Sequence, residues 1–195
     1  MFPSTLLDQH TRIAPLSTLR FVLFGLIFGT LAVGIPFLAH FVNPMAGPIF
    51  LPMHLVIIAG GLLFGWRFGL MLGIVSPTLN FLVTGLPPEI LLTQITIEVV
   101  AYGLIAGILR AYTRLPLIIT IALSMLAGRL ILLISLQFLQ TPTNPWVMVS
   151  NATKTGWPGI VLSLVLLPLI LPRLLRWLKK PTNPHNANSA SDHVA

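Results

Sequence analysis

An all-α integral membrane protein with six transmembrane helices and both termini in the cytoplasm is predicted by three observations. Charge is nearly absent, apolar runs of spanning length recur six times, and the basic residues fall on one side of those runs. Only 8% of the 195 residues are charged, against about 25% in an average soluble domain. Eleven Lys/Arg, four Asp/Glu and five His cannot cover the surface that a soluble protein of this size exposes. The same composition excludes a disordered chain, and the absence of cysteine excludes a secreted disulfide scaffold. A span takes about 20 apolar residues, so the length holds six helices with short loops. The expected organisation is a cytoplasmic segment over 1–16, a membrane domain over 17–178, and a disordered cytoplasmic tail over 179–195, rich in Pro, Asn and Ser.

The spans follow in order. Residues 21–41 form an apolar run longer than the roughly 7–15 residues of a cleaved signal peptide's core, so it reads as a retained helix. The next apolar stretch is interrupted by Gly65-Trp66-Arg67-Phe68-Gly69, two glycines and a charge, which predicts a tight hairpin between spans 51–64 and 68–83. Leu86-Pro87-Pro88 breaks the chain before a fourth helix over 88–110, where proline suits the first turn and Glu89 suits the positive helix end. A fifth span covers 115–139. The polar stretch from Gln140 to Ser150 reads as a loop, and the sixth span covers 156–178.

Charge placement gives the orientation. Arg12, Arg20, Arg67, Arg110, Arg114, Arg173, Arg176, Lys179 and Lys180 fall on one side of this topology and only Lys154 on the other. The positive-inside bias then puts both termini in the cytoplasm. It also accounts for the net charge of +7 without nucleic acid.

Two groups lie where charges are costly. Glu98 falls within the fourth span and Arg129 within the fifth. An ionisable side chain at mid-bilayer costs about 2.5–3.5 kcal/mol on insertion scales, which makes it a functional candidate. The helices run antiparallel, and the two groups stand about 18 and 22 Å above their cytoplasmic ends at 1.5 Å per residue, so they can meet. Gln94, Glu98 and Tyr102 share one stripe at four-residue spacing. The pair either fixes helix packing or lines a polar substrate cavity. His54, Asn80, Trp146, Asn151, Lys154 and Trp157 gather toward the outer ends and together predict an outward-opening pocket above the pair. Separately, they read as capping residues, interfacial aromatics or partners for backbone freed by Pro77. On the first helix Gly25, Gly29 and Ala32 form a small-residue packing surface, toward either a partner or the same chain.

Several chemistries lack their motifs. The sequence has no G-x-x-x-x-G-K-[ST], no G-x-S-x-G and no H-E-x-x-H. Five scattered histidines without cysteine give no metal-ligand spacing, and no cofactor is expected.

Four segments carry a resemblance. These are Phe50-Leu51-Pro52-Met53-His54 with Ala59-Gly60, and Ser76-Pro77 with Thr84-Gly85-Leu86-Pro87-Pro88. Glu98, Tyr102-Gly103 and Gly107 follow, and then Gly156-Trp157-Pro158-Gly159-Ile160 with Leu162 and Pro168. In order and spacing, over residues 17 to 178, they resemble the substrate-binding S component of energy-coupling-factor (ECF) vitamin transporters. The resemblance implies a vitamin-binding subunit in the cell membrane of a prokaryote. It would have no ATPase of its own and no enzymatic activity, and would work with a transmembrane T subunit and two cytoplasmic ATPases. It places Gly25, Gly29 and Ala32 at the T-subunit face, with glycine where the family more usually has alanine, and it puts Glu98, Arg129, Asn151 and Trp157 in or near the pocket. The closest branch takes pantothenate, folate-like or cobalamin-precursor substrates. An unpaired Arg129 suits a carboxylate or phosphate, and one paired with Glu98 suits a neutral ligand.

Two other classes compete. One is an intramembrane enzyme with Glu98 and His54 as acid and base, against which the two residues begin on different helices at different depths. The other is a structural or assembly membrane protein without a ligand.

Overall fold

Prolines and glycines set the helix boundaries. The computed structural model describes residues 18–139, 141 and 143–179, the last three by backbone alone. The expected segment 1–16, the tail beyond Lys179, and Arg12, Gln140 and Lys180 lie outside the described residues. The first helix, α1 (Thr18–Val42), contains Pro36. The second apolar run is two helices, α2 (Ala46–Phe50) and α3 (Pro52–Phe64), parted at Leu51, whose φ of 49° is left-handed. That conformation costs a non-glycine residue about 1–2 kcal/mol. Here Leu51 is also buried, its side chain lying against Gly156, and Pro52 starts α3 with the φ that proline prefers.

The hairpin expected over Gly65–Gly69 is tighter than the sequence suggests. Gly65 alone joins α3 to α4 (Trp66–Thr84), and its φ of 93° suits a residue without a Cβ. Gly85 ends α4, and Pro87 and Pro88 lead into α5 (Glu89–Tyr112). Leu117–Phe138 forms α6 after Pro116.

The last helix corrects the sequence reading. The expected loop ends at Asn144, and α7 runs from Pro145 to Lys179, 35 residues. Asn144 accepts the Trp146 N–H on Oδ1 at 2.9 Å and the Met148 N–H on its carbonyl at 3.1 Å, while Pro145 sits in the first turn. Asn and Pro, read as loop formers, are here a helix start. At 1.5 Å per residue α7 is about 52 Å long, well beyond the roughly 30 Å of a bilayer's hydrocarbon core.

The described residues are helical with no strand, and six helices are long and apolar enough to cross a membrane, α2 and α3 together making one of them. α3 is central: ten of its 13 residues are buried, and it packs on α1, α4, α5 and α7. α5 joins α4 to α6, and α7 closes on α6 and α2. The tightest seam is between α4 and α5. Gly65 at the head of α4 and Gly69 and Gly73 within it repeat at four residues, and Gly103 and Gly107 do so on α5. A Cβ on Gly103 would stand 2.6 Å from the Gly69 carbonyl oxygen, and one on Gly73 2.6 Å from the Val100 Cα. Small residues at this spacing bring helix backbones together without a hydrophobic drive between them. Phe21, Phe24, Phe28, Phe64 and Phe68 interlock at the end where α1 begins. Leu19, Leu26, Leu38, Leu126, Ile134 and Val165 point outward and exposed, the surface expected of helices bathed in lipid.

Candidate functional site

Helix phase brings four polar side chains together inside the bundle. Glu98 and Tyr102, one turn apart on α5, both face inward and are buried. The Tyr102 hydroxyl donates to Glu98 Oε1 in a short hydrogen bond. Arg129 of α6 places Nη1 2.7 Å from the same oxygen. His54 of α3 brings Nε2 to 3.9 Å from Glu98 Oε2, and its ring lies 5.5 Å from that of Tyr102. Gly128 makes room for the tyrosine, since a Cβ there would overlap the Tyr102 ring. The glycine is the signal that sequence reading missed: it sits next to Arg129 and sets how closely α6 approaches the carboxylate.

The meeting of Glu98 and Arg129 follows the antiparallel register expected from the sequence. The depth assigned to His54 does not hold. Because α2 is a separate helix, His54 lies eleven residues above the Gly65 turn, about 16 Å. Gly107 packs against that turn, so Glu98, nine residues above Gly107, is about 14 Å up. The two stand within about half a helical turn of one level, close enough for their 3.9 Å contact. A charge pair in a low-dielectric interior needs further hydrogen bonds to hold it, and Tyr102 supplies one.

Two buried atoms lack protein partners among the described residues: Arg129 Nε and Ser76 Oγ. Such atoms are where bound water or a ligand group finds its bond. The other buried hydroxyls are spent on their own helices. Ser124 donates to the Ile121 carbonyl, and Ser163 to the Gly159 carbonyl.

A cavity of about 150 Å³ adjoins the cluster. Pro36, Leu51, Met53, Leu86, Pro88 and Ile95 form much of its apolar wall, and its polar groups are His40, His54 and Asn80. The cavity lies toward the end of the bundle that carries the Gly85–Pro88 turn. His54 belongs to both arrangements, one face of the cavity and one neighbour of Glu98. Asn80 is buried, and its Oδ1 accepts from the Thr84 hydroxyl at 3.3 Å. His40, which the sequence did not single out, comes from the far end of α1; only the fold brings it near His54.

The remaining expected site residues go elsewhere. Glu98 and Arg129 sit behind His54 and do not line the cavity. Gln94 lines a separate open cleft with Glu89, Thr93, Thr141 and Thr143. Asn151, Lys154 and Trp157 are exposed on α7, Trp157 at 61%, and Trp146 is exposed as well. The buried stripe of that helix is Gly156, Gly159, Ser163, Leu167 and Leu171, at spacings of three and four, and the expected residues fall out of its phase. Gly25 and Gly29 border an apolar groove of about 640 Å³ between α1 and α4, whereas Ala32 is fully buried in the core. No metal-binding group of three His, Asp or Glu occurs among the described residues. No family model matches the chain, and no curated protein or solved structure matches it.

Proposed function

We propose that the chain is the substrate-binding membrane subunit of an ECF-type importer, capturing a vitamin or related micronutrient of the pantothenate, folate-like or cobalamin-precursor type from outside a prokaryotic cell. Transport is driven by a partner T subunit and two ATPases, and the chain itself is not an enzyme. The observation that carries this reading is the cavity ending on buried His54 and Asn80, with His54 backed by the Glu98–Arg129 pair. A mostly apolar pocket with a few convergent polar groups is the usual form of a small-molecule site. Its polar floor is braced from behind by a charge pair that membrane proteins rarely tolerate without a function. The direct test is co-expression with ECF-module T and ATPase subunits. A stable complex that takes up a vitamin supports the proposal, and a chain that never joins such a module overturns it.

Orientation belongs to the same proposal. Arg20, Arg67, Arg110, Arg114, Arg173 and Arg176 all fall at the bundle end where α1 begins, away from the cavity mouth. The positive-inside bias makes that end cytoplasmic. A reporter fused after residue 180 should be cytoplasmic and one inserted at Thr143 external. The reverse pattern would turn the cavity toward the cytoplasm and remove it as a capture site.

The partner face is proposed at Gly25 and Gly29. A Cβ at Gly29 meets nothing within 4 Å, so Gly29→Leu should fold and leave the cavity intact. It would fill the α1–α4 groove and should abolish assembly with the T subunit, seen as loss of co-purification. Unimpaired assembly would move the partner face elsewhere.

One observation favours a second reading. His54 and Glu98, 3.9 Å apart, could form an acid–base pair in an intramembrane enzyme. Glu98 Oε1 already accepts from both Tyr102 and Arg129, which suits a fixed charge better than a group that must shed and regain a proton.

A further inference from the structure

The apolar groove between α1 and α4 has a charged mouth. Both helices start at the basic end of the bundle, where the rings of Phe21 and Phe68 touch at 5.2 Å. From there the groove runs from Val22 and Met71 to Phe37 and Val83, with Gly25 and Gly29 along its length. A Cβ at Gly25 would stand 3.3 Å from the Met71 side chain, while one at Gly29 meets nothing within 4 Å. Along α1 the groove is about 22 Å long at helical rise, against about 15 Å for half of a bilayer's hydrocarbon core. It can therefore take an acyl chain of a lipid in the leaflet at the basic end. An apolar hollow left empty there would forfeit the contacts of its lining.

The residues just before the touching phenylalanines are both arginines, Arg20 and Arg67, and both are exposed. Arg67 holds its guanidinium carbon 5.2 Å from the centroid of the Trp66 ring, a contact that favours a cation at interfacial height. Neither arginine has a carboxylate partner among the described residues. Glu98 is paired with Arg129 inside the bundle, and Glu89 starts α5 at the opposite end. A guanidinium fork matches a phosphate in geometry as well as charge. Its long stem lets it reach a phosphate beside its own helix.

We propose that the groove holds an anionic phospholipid, with an acyl chain against Gly25 and Gly29 and the phosphate at Arg20 and Arg67. A zwitterionic lipid fills the same hollow but brings an ammonium group toward the arginines, so the mouth discriminates by headgroup. The inference does not depend on the transport reading. A T subunit docking on the same face displaces the lipid.

The test is native mass spectrometry of the full chain released from nanodiscs that hold equal amounts of phosphatidylglycerol and phosphatidylethanolamine with identical acyl chains. The wild type should retain phosphatidylglycerol about tenfold over phosphatidylethanolamine, the scale set by two basic residues at an anionic surface. Arg20→Gln combined with Arg67→Gln should cut that preference to about twofold or less. Arg173→Gln combined with Arg176→Gln removes the same charge from the same end, but on α7, away from the groove. That pair should keep most of the preference. Gly29→Leu fills the groove and should lower retention of both lipids. Equal retention of the two lipids by the wild type, an equal loss of preference in the α7 pair, or undiminished retention by Gly29→Leu would overturn the inference. Assembly with a T subunit is read separately, by co-purification. A chain that assembles but shows no lipid preference would therefore sink this inference alone.

Discussion

Glu98→Gln and Arg129→Gln should each cost about 3–5 kcal/mol of stability, the range found when one partner of a buried ion pair is removed. The reason is the same from either side. Each single variant leaves a full charge inside the bundle with its nearest counter-charge gone, and Tyr102 and His54 cannot replace it. After Glu98→Gln, Arg129 keeps its charge with Nε already lacking a partner. After Arg129→Gln, Glu98 keeps only the Tyr102 hydroxyl and the more distant His54. The double variant removes both charges, retains similar volume, and allows a neutral amide–amide contact. It should recover most of the loss, read as the midpoint of a denaturing-detergent titration followed by helical circular dichroism. A double variant as unstable as the sum of the singles would show that the two charges do not stabilise each other. Ligand affinity adds a second readout. If the pair serves only packing, the stable double variant binds as the wild type does. Because the pair backs the cavity-lining His54, with Glu98 Oε2 3.9 Å from its Nε2, we expect the double variant to bind about tenfold more weakly, a loss of about 1.4 kcal/mol. Glu98 is then a positioning residue.

That cluster was partly legible in the sequence because depth in a membrane is simple arithmetic on helical rise. Two ionisable residues in adjacent antiparallel spans, at similar distances from their common end, meet if they face each other. The apolar runs located the spans for the same reason, since length and hydropathy are both one-dimensional. Rotational phase and helix breaks are less accessible. Height along the span and the family resemblance both group Asn151 and Trp157 with the pocket, but α7 turns Gly156, Gly159 and Ser163 inward and leaves them outside. That stripe of small residues was visible and would have assigned the inward face. The separation of α2 from α3 was not readable, because it depends on a leucine in a left-handed conformation held by burial. His40 could not be paired with His54 from sequence, since Pro36, Gly47 and the α1–α2 turn set its place.

Gly103→Ala is the smallest substitution expected to unfold the bundle. The added methyl group would stand 2.6 Å from the Gly69 carbonyl oxygen and 2.8 Å from the Ile57 side chain. A side chain can change rotamer, but the Gly69 oxygen is backbone within α4 and is held by the helix. Relief therefore requires α4 and α5 to separate along the seam that also seats Gly61 and Gly73. Overpacking a rigid core typically costs about 1–3 kcal/mol, and more where backbone must move, so about 3 kcal/mol is expected here. The shift would also carry Glu98, just over one turn above Gly103 on the same helix, away from Arg129 and His54. Gly103→Ala should thus lower the thermal midpoint and weaken ligand binding together. Gly29→Ala, whose methyl meets nothing within 4 Å, should leave ligand binding unchanged and raise stability by up to about 1 kcal/mol, which makes it the control for helix propensity. Equal stability of the two variants would mean that the α4–α5 seam yields, and that the polar cluster is positioned by the α5–α6 contact at Gly128 alone.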